Sequence, residues 1–322
     1  MICIHLRHTL SLALLSLLLT AAACQPAANQ PPTSTRQVVA ADERYTLPYS
    51  LKNPQARYTL PDALREVSGL GYLAPGRLAM VQDEKGRIYT FDLAADSVTG
   101  YVKFAGKGDY EGVECVGDTV YALQSEGVLS AVAIAEGDSP VVRRYATGLG
   151  VGCDAEGLAY DAATHSLLIA CKAAPYQGLT PVPHLRVVYA FDLRRGQMAA
   201  EPAFTIDLHE LAAFLRASAR SDKEKARAAA FDPLEDGVFQ PSALARHPLD
   251  GHLYVLASSG QLLVVLDDRH RIVAAHRLPR DPFVQPEGIA FDPEGRLFIA
   301  NEGRDGAGTL LRFDPGAGTS DD

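Results

Sequence analysis

One short phrase recurs along this chain of 322 residues, and its spacing constrains the fold more than any other feature. It reads Glu66-Val-Ser-Gly-Leu70, Glu111-Gly-Val113, Glu156-Gly-Leu158, Ser242-Ala-Leu244 and Glu287-Gly-Ile289. Consecutive copies lie 45 residues apart, apart from one interval of 86 between the third and the fourth. Self-similarity at that period marks a repeat architecture. The last copy is the clearest: Ile289-Ala-Phe-Asp292, a turn at Pro293-Glu-Gly295, then Arg296-Leu-Phe-Ile-Ala300 and Thr309-Leu-Leu-Arg-Phe-Asp314. Apolar and polar residues alternate with period two between Gly, Pro and Asp turns, which is strand patterning. Roughly 45 residues and four strands per unit describe the blade of a β-propeller, an all-β fold.

The repeat predicts five blades in a single propeller over residues 45–317, with six as the alternative if the 86-residue interval hides a degenerate blade. Against six, that interval holds residues 207–231, rich in Ala, Leu, Lys and Glu, which predict a helical insertion. Leu208, Leu211, Ala212 and Leu215 share one face of it, so the helix is expected to cap the ring. The final blade runs out of chain before its fourth strand, and Ala56-Arg-Tyr-Thr-Leu-Pro61 supplies a matching segment ahead of the first blade. Such an exchange closes the ring and leaves no long open edge.

The first 23 residues combine one Arg, no acid, the apolar run Leu10–Leu19 and small residues before Cys24. They predict a bacterial lipoprotein signal peptide over 1–23, with Cys24 the lipidated first residue of the mature chain. The alternative is a plain secretory signal with an incidental Cys. Residues 24–44 have little to bury and predict a flexible tether, and 318–322 a disordered tail. The expected location is the cell envelope, anchored to a membrane through Cys24. Gln25 after that Cys leans toward the outer membrane, facing the periplasm.

With 47% hydrophobic residues the chain can bury a large core, which excludes a disordered polymer. A formal charge of −9 with no basic run interleaved with aromatics excludes nucleic acid as a partner. The expected partners are instead the membrane and a small ligand or an envelope protein, with the chain itself a monomer.

In a propeller the first strand of each blade lines the central channel, so Glu66, Glu111, Glu156 and Glu287 are expected to converge at its mouth, with Ser242 in the fourth blade. Converging carboxylates repel one another unless a cation sits among them. Hard oxygen ligands predict Ca²⁺; zinc is disfavoured because neither His nor Cys recurs. The other reading is that each Glu caps a local loop. Loops after the second strands add an acidic rim: Asp83, Glu84, Glu126, Asn301 and Glu302, with Lys172 and Arg304 the cationic exceptions. Cys153 precedes Glu156 while Cys171 ends the partner strand, so the two are near enough to form a disulfide. The alternative is two reduced, buried thiols. His184 is the one histidine expected near the mouth.

The chain has no Gly-x-Ser-x-Gly, no His-Glu-x-x-His, no phosphate-binding loop and no Asp-x-Asp-x-Asp-Gly loop. No catalytic nucleophile stands out, which favours a calcium- or small-ligand-binding or scaffolding module. The alternative is a calcium-dependent hydrolase of esters, lactones or phosphoesters, with Asp83, Glu126 or Glu302 as proton acceptor.

On the phrases Glu66-Val-Ser-Gly-Leu70, Asp154-Ala-Glu-Gly-Leu-Ala-Tyr160, Gln240-Pro-Ser-Ala-Leu244 and Gln285-Pro-Glu-Gly-Ile-Ala-Phe291, the chain resembles the SdiA-regulated lipoprotein family. The resemblance implies an exported propeller with a metal or ligand site at the channel mouth. A looser similarity, through Phe291–Asn301, is to the gluconolactonase and regucalcin-like propellers. It implies a divalent ion held by residues such as Glu66 and Asn301.

Overall fold

The computed structural model describes residues 45–133, 139–172 and 182–316, all within the compact unit Arg36–Asp322. The expected signal peptide, the tether with Cys24 and the tail 318–322 lie outside the described residues.

The described chain forms a five-blade β-propeller. A strand β1 (Ala56–Thr59) precedes the first blade, β2 (Val67–Ala74), β3 (Arg77–Gln82), β4 (Lys85–Asp92) and β5 (Ser97–Lys107). The second blade is β6 (Tyr110–Val116), β7 (Thr119–Gln124), β8 (Val128–Ala133) and β9 (Val141–Ala146). The third is β10 (Ala155–Asp161), β11 (Ser166–Cys171) and β12 (Leu185–Asp192), with β13 (Gln197–Met198) and β14 (Phe204–Asp207) both paired to β12. The fourth is β15 (Ala243–Arg246), β16 (Leu253–Ala257), β17 (Leu262–Leu266) and β18 (Ile272–Arg277). The fifth is β19 (Pro286–Phe291), β20 (Leu297–Asn301) and β21 (Thr309–Phe313), completed by β1, which pairs antiparallel with β21 from Ala56 opposite Arg312 to Thr59 opposite Thr309.

The core is divided among the gaps between blades. Leu60, Leu70, Met80, Phe298 and Ala300 fill the gap between the fifth and first blades; Val81, Ile88, Val113 and Val120 fill the next. Leu123, Leu158, Ile169 and Tyr189 lie between the second and third, and Val188, Leu244, Val255 and Val264 between the third and fourth. Tyr254, Leu263, Ile289 and Ile299 close the circuit, joined by Leu47, Tyr49 and Leu51. Strands with both faces buried are therefore almost wholly apolar, as in Leu262–Leu266 and in Leu297–Asn301 up to its last residue.

Near the axis the blades touch backbone to backbone. A Cβ on Gly112 would stand 2.9 Å from the Glu156 carbonyl oxygen, and one on Gly69 would stand 2.9 Å from the Val113 nitrogen. Only glycine allows that approach.

The insertion departs from expectation in two ways. It is two helices, α1 (Leu208–Ser218) and α2 (Asp222–Ala229), not one. Ser221 and Glu224 form a capping box that starts the second helix, because a side chain bonded to the backbone there competes with helix continuation. The insertion also does not cap the ring. Leu208, Leu211, Ala212, Phe214 and Leu215 pack against β14 and β18 at the outer ends of the third and fourth blades, where those strands leave apolar surface open.

Candidate functional site

Pairing between first and second strands slips by one residue at the same place in four blades. The slip falls between Val67 and Gly69, Tyr110 and Gly112, Ala155 and Gly157, and Pro286 and Gly288. The extra residue in each is Ser68, Glu111, Glu156 or Glu287, with Ser242 in the corresponding place of the fourth blade. Such bulges re-aim one side chain away from the pleat. Glu66 therefore does not belong to this ring, as the sequence suggested; it lies two residues upstream, and Ser68 takes the position. The equivalence is set by the glycine that meets the next blade, and in the first blade that glycine follows Ser68. Aligning the phrases on the small residue, as in Ser-Gly-Leu70 and Glu-Gly-Val113, would have found it.

The two serines behave alike. Ser68 Oγ donates to the Tyr110 carbonyl at 2.6 Å and Ser242 Oγ to the Pro286 carbonyl at 3.1 Å, each the residue before the next blade's Glu.

Two further tiers surround this ring. Two residues upstream stand Glu66, Asp109, Asp154, Gln240 and Gln285; just past the second strands stand Asp83, Ser125, Lys172, Ser258 and Glu302. Main-chain bonds from Ser125 to Asp109, Lys172 to Asp154 and Glu302 to Gln285 join the tiers blade by blade. Side chains repeat the pairing. Ser125 Oγ donates to Asp109 at 2.5 Å. Lys172 donates to Glu156 and stands 3.9 Å from Asp154. Gln285 donates to Glu302 and, at 3.0 Å, to Glu287, while its own oxygen accepts from Arg304. Each of these three blades matches an acceptor with a donor. The first blade does not: its pair is Glu66 and Asp83, two acids, and Asp83 Oδ1 is buried with no hydrogen-bond partner.

Electrostatics tie the mouth together. Burial pushes Glu111 up to about 9, helped by the charges of Glu156 and Asp109. Burial also raises Glu156, against the pull of Lys172 and with Glu287 adding to the rise. Burial would lower Lys172, but the Glu156 charge and bond raise it. Glu287 is raised by burial, opposed by Gln285, Ser258, Lys172 and Ser242. In the first blade, burial raises Asp83 to about 6, with Glu66, Glu84 and Glu302 contributing. Glu302 is raised by burial and then by Glu287 and Glu66. The cation amid Glu111, Glu156 and Glu287 is thus the ammonium of Lys172.

Other expected residues lie elsewhere. Glu84 and Glu126 are exposed, and Glu84 stands 4.0 Å from Lys85. Asn301 is buried beneath the rim, its amide donating to Thr309 at 3.2 Å and its oxygen unpartnered. His184 meets the ring of His209 at the start of α1, centroids 4.7 Å apart. Cys153 and Cys171 are joined by a disulfide, which brackets Asp154 and Lys172. Sequence reading missed Asp109, Asp154 and Gln285. It also missed Glu114, which burial raises to about 7 while it accepts from the Tyr160 and Cys115 backbone at 2.9 Å. Among the described residues, no three His, Cys, Asp or Glu side chains stand close enough together to hold a metal ion.

Several solved structures are similar to this chain. Glutaminyl cyclase from Myxococcus xanthus is 13% identical with a TM-score of 0.51, over 81% of this chain and 94% of that one. The aldose sugar dehydrogenase of Streptomyces coelicolor in its PQQ-bound form is 12% identical with a TM-score of 0.45, over 81% of this chain and 99% of that one. At 13% identity the likeness to the cyclase speaks for the fold alone, and the likeness to the dehydrogenase carries no argument. No curated protein matches the sequence. The SdiA-regulated family matches residues 49–304, most of the length, and the chain belongs to that family.

Proposed function

We propose that this chain is a binding module of the bacterial envelope, lipid-anchored at Cys24, that takes a small cationic ligand at the propeller mouth beside the first and fifth blades. The observation that carries the reading is the acid pair Glu66 and Asp83, standing where three other blades match an acceptor with a donor. An unpartnered carboxylate oxygen on Asp83 and the nearby charge of Glu302 favour a positively charged donor from outside. An organic ammonium or guanidinium fits this better than a bare calcium ion. Calcium wants about six to eight oxygens in a closed cage, and the described acids are not gathered that closely. A chain-borne ammonium, Lys172, already serves the opposite side of the ring.

The test is a thermal-shift panel on the purified chain: polyamines, choline and guanidinium compounds in one arm, calcium and EDTA in the other. Stabilisation by an organic cation that disappears in E66Q/D83N supports the reading. A response to calcium alone points to an ion site instead, and no response from either arm overturns a cation-binding mouth.

A further inference from the structure

The strand pair β4–β5 at the outer edge of the first blade carries a feature the mouth does not explain. Lys85 stands directly opposite Lys107, and Arg87 directly opposite Lys103. Like charges placed across a strand pair destabilise it, yet here two such pairs are adjacent in a chain whose formal charge is −9.

Their geometry is built rather than incidental. Between the two pairs, three residues of β5, Phe104 to Gly106, answer the single Gly86 of β4. A Cβ on Gly86 would stand 2.6 Å from that of Ala105, so β5 folds down onto a position only glycine can fill. Phe104 is buried edge-on against Tyr110, centroids 5.2 Å apart, and pins the inner side of the irregularity. The result is an open cleft of about 350 Å³ walled almost entirely by carbon atoms, those of the Lys85, Arg87, Lys103 and Lys107 stems together with Gly86 and Ala105, so that the charged ends of these side chains stand at its rim. The Arg87 guanidinium lies 4.4 Å from the centre of the Tyr101 ring, which is 53% exposed, so it is held in place without a carboxylate. Among the described residues, Lys85 alone of the four meets an acid, Glu84 at 4.0 Å.

We propose that this cleft binds a phosphate-bearing ligand. A tetrahedral dianion with several acceptor oxygens can take bonds from Lys on both strands and from the Arg fork at once, turning the two repulsive pairs into a favourable arrangement. The phosphate could belong to a soluble molecule or to a lipid headgroup, and the same cations would recognise either.

The experiment measures binding of pyrophosphate by calorimetry, and of vesicles by flotation, using phosphatidylglycerol against phosphatidylcholine. Wild-type chain should bind pyrophosphate, phosphatidylglycerol vesicles or both, less tightly as salt rises. K103Q/K107Q should weaken binding about tenfold or more, and R87Q should do the same, while E66Q/D83N at the mouth should leave it unchanged. Binding to pyrophosphate assigns a soluble source, and binding to vesicles only assigns the headgroup. Failure of the wild-type chain to bind either probe, or equal binding by K103Q/K107Q and R87Q, overturns the proposal.

Discussion

Lys172 reaches Glu156 from the end of the adjacent strand, and the two side chains differ in exposure, 35% for the lysine against 6% for the glutamate. The buried acid is thus compensated by a cation that remains in touch with water.

Lys172→Met should therefore leave Glu156 buried among Glu111 and Glu287 without a counter-charge. Removing one partner of a buried pair is strongly destabilising, but Glu156 can escape by binding a proton. The expected loss is about 2–3 kcal/mol. Urea denaturation at neutral pH measures it; an unchanged midpoint would deny Lys172 this role.

Stability should fall as pH rises from weakly acidic to alkaline. Glu111 is raised to about 9 in the folded chain against an ordinary value of 4.5. Between those limits the folded state keeps a proton that the unfolded state releases, so folding weakens as pH climbs through the window and levels off above it. Melting temperatures at pH 5.5 and 8.5 should show the drop. Glu111→Gln should flatten the profile and melt higher than wild type at pH 8.5; a profile identical to wild type would rule out Glu111 as its source.

Reducing the disulfide should destabilise the chain. Cys153 and Cys171 close a loop with a sequence separation of 18, which corresponds to about 3 kcal/mol. Because the bridge brackets Asp154 and Lys172, C153A/C171A should also reduce the stability lost on Lys172→Met. Additive losses in a double-mutant cycle would separate the bridge from the ion pair.

Gly112→Ala should cost about 2 kcal/mol by forcing a methyl group against the third blade, where the Glu156 carbonyl stands 2.9 Å away. Gly100→Ala, with nothing within 4 Å of its Cβ, is the control and should be nearly neutral. Equal effects of the two would mean that the inner strands are not packed this closely.

Much of the fold was legible because each blade is made from local hairpins, whose period-two patterning and turns repeat in the sequence. The closing strand was legible as well: Tyr58-Thr-Leu-Pro61 echoes Arg277-Leu-Pro279, and β1 pairs with β21. The helical insertion could be placed but not shaped. Its break at Ser221 depends on a capping box, and its docking depends on which outer strands leave apolar surface open.

The sequence by itself determined the propeller, the ring closure and the acidity of the repeated phrases, since these follow from spacing and residue type along one chain, while five blades rather than six was decided by the five sheets of the structure. Tertiary structure alone decided which side chains meet at the channel mouth. A one-residue bulge is invisible in composition, yet it moves Ser68 into the ring and Glu66 out of it, and the pairing of β10 with β11 inside the third blade brings Lys172 onto Glu156. The bulges sit where Gly69 meets Val113 and Gly112 meets Glu156 of the next blade, and that geometry is fixed only when backbones pack against one another around the axis.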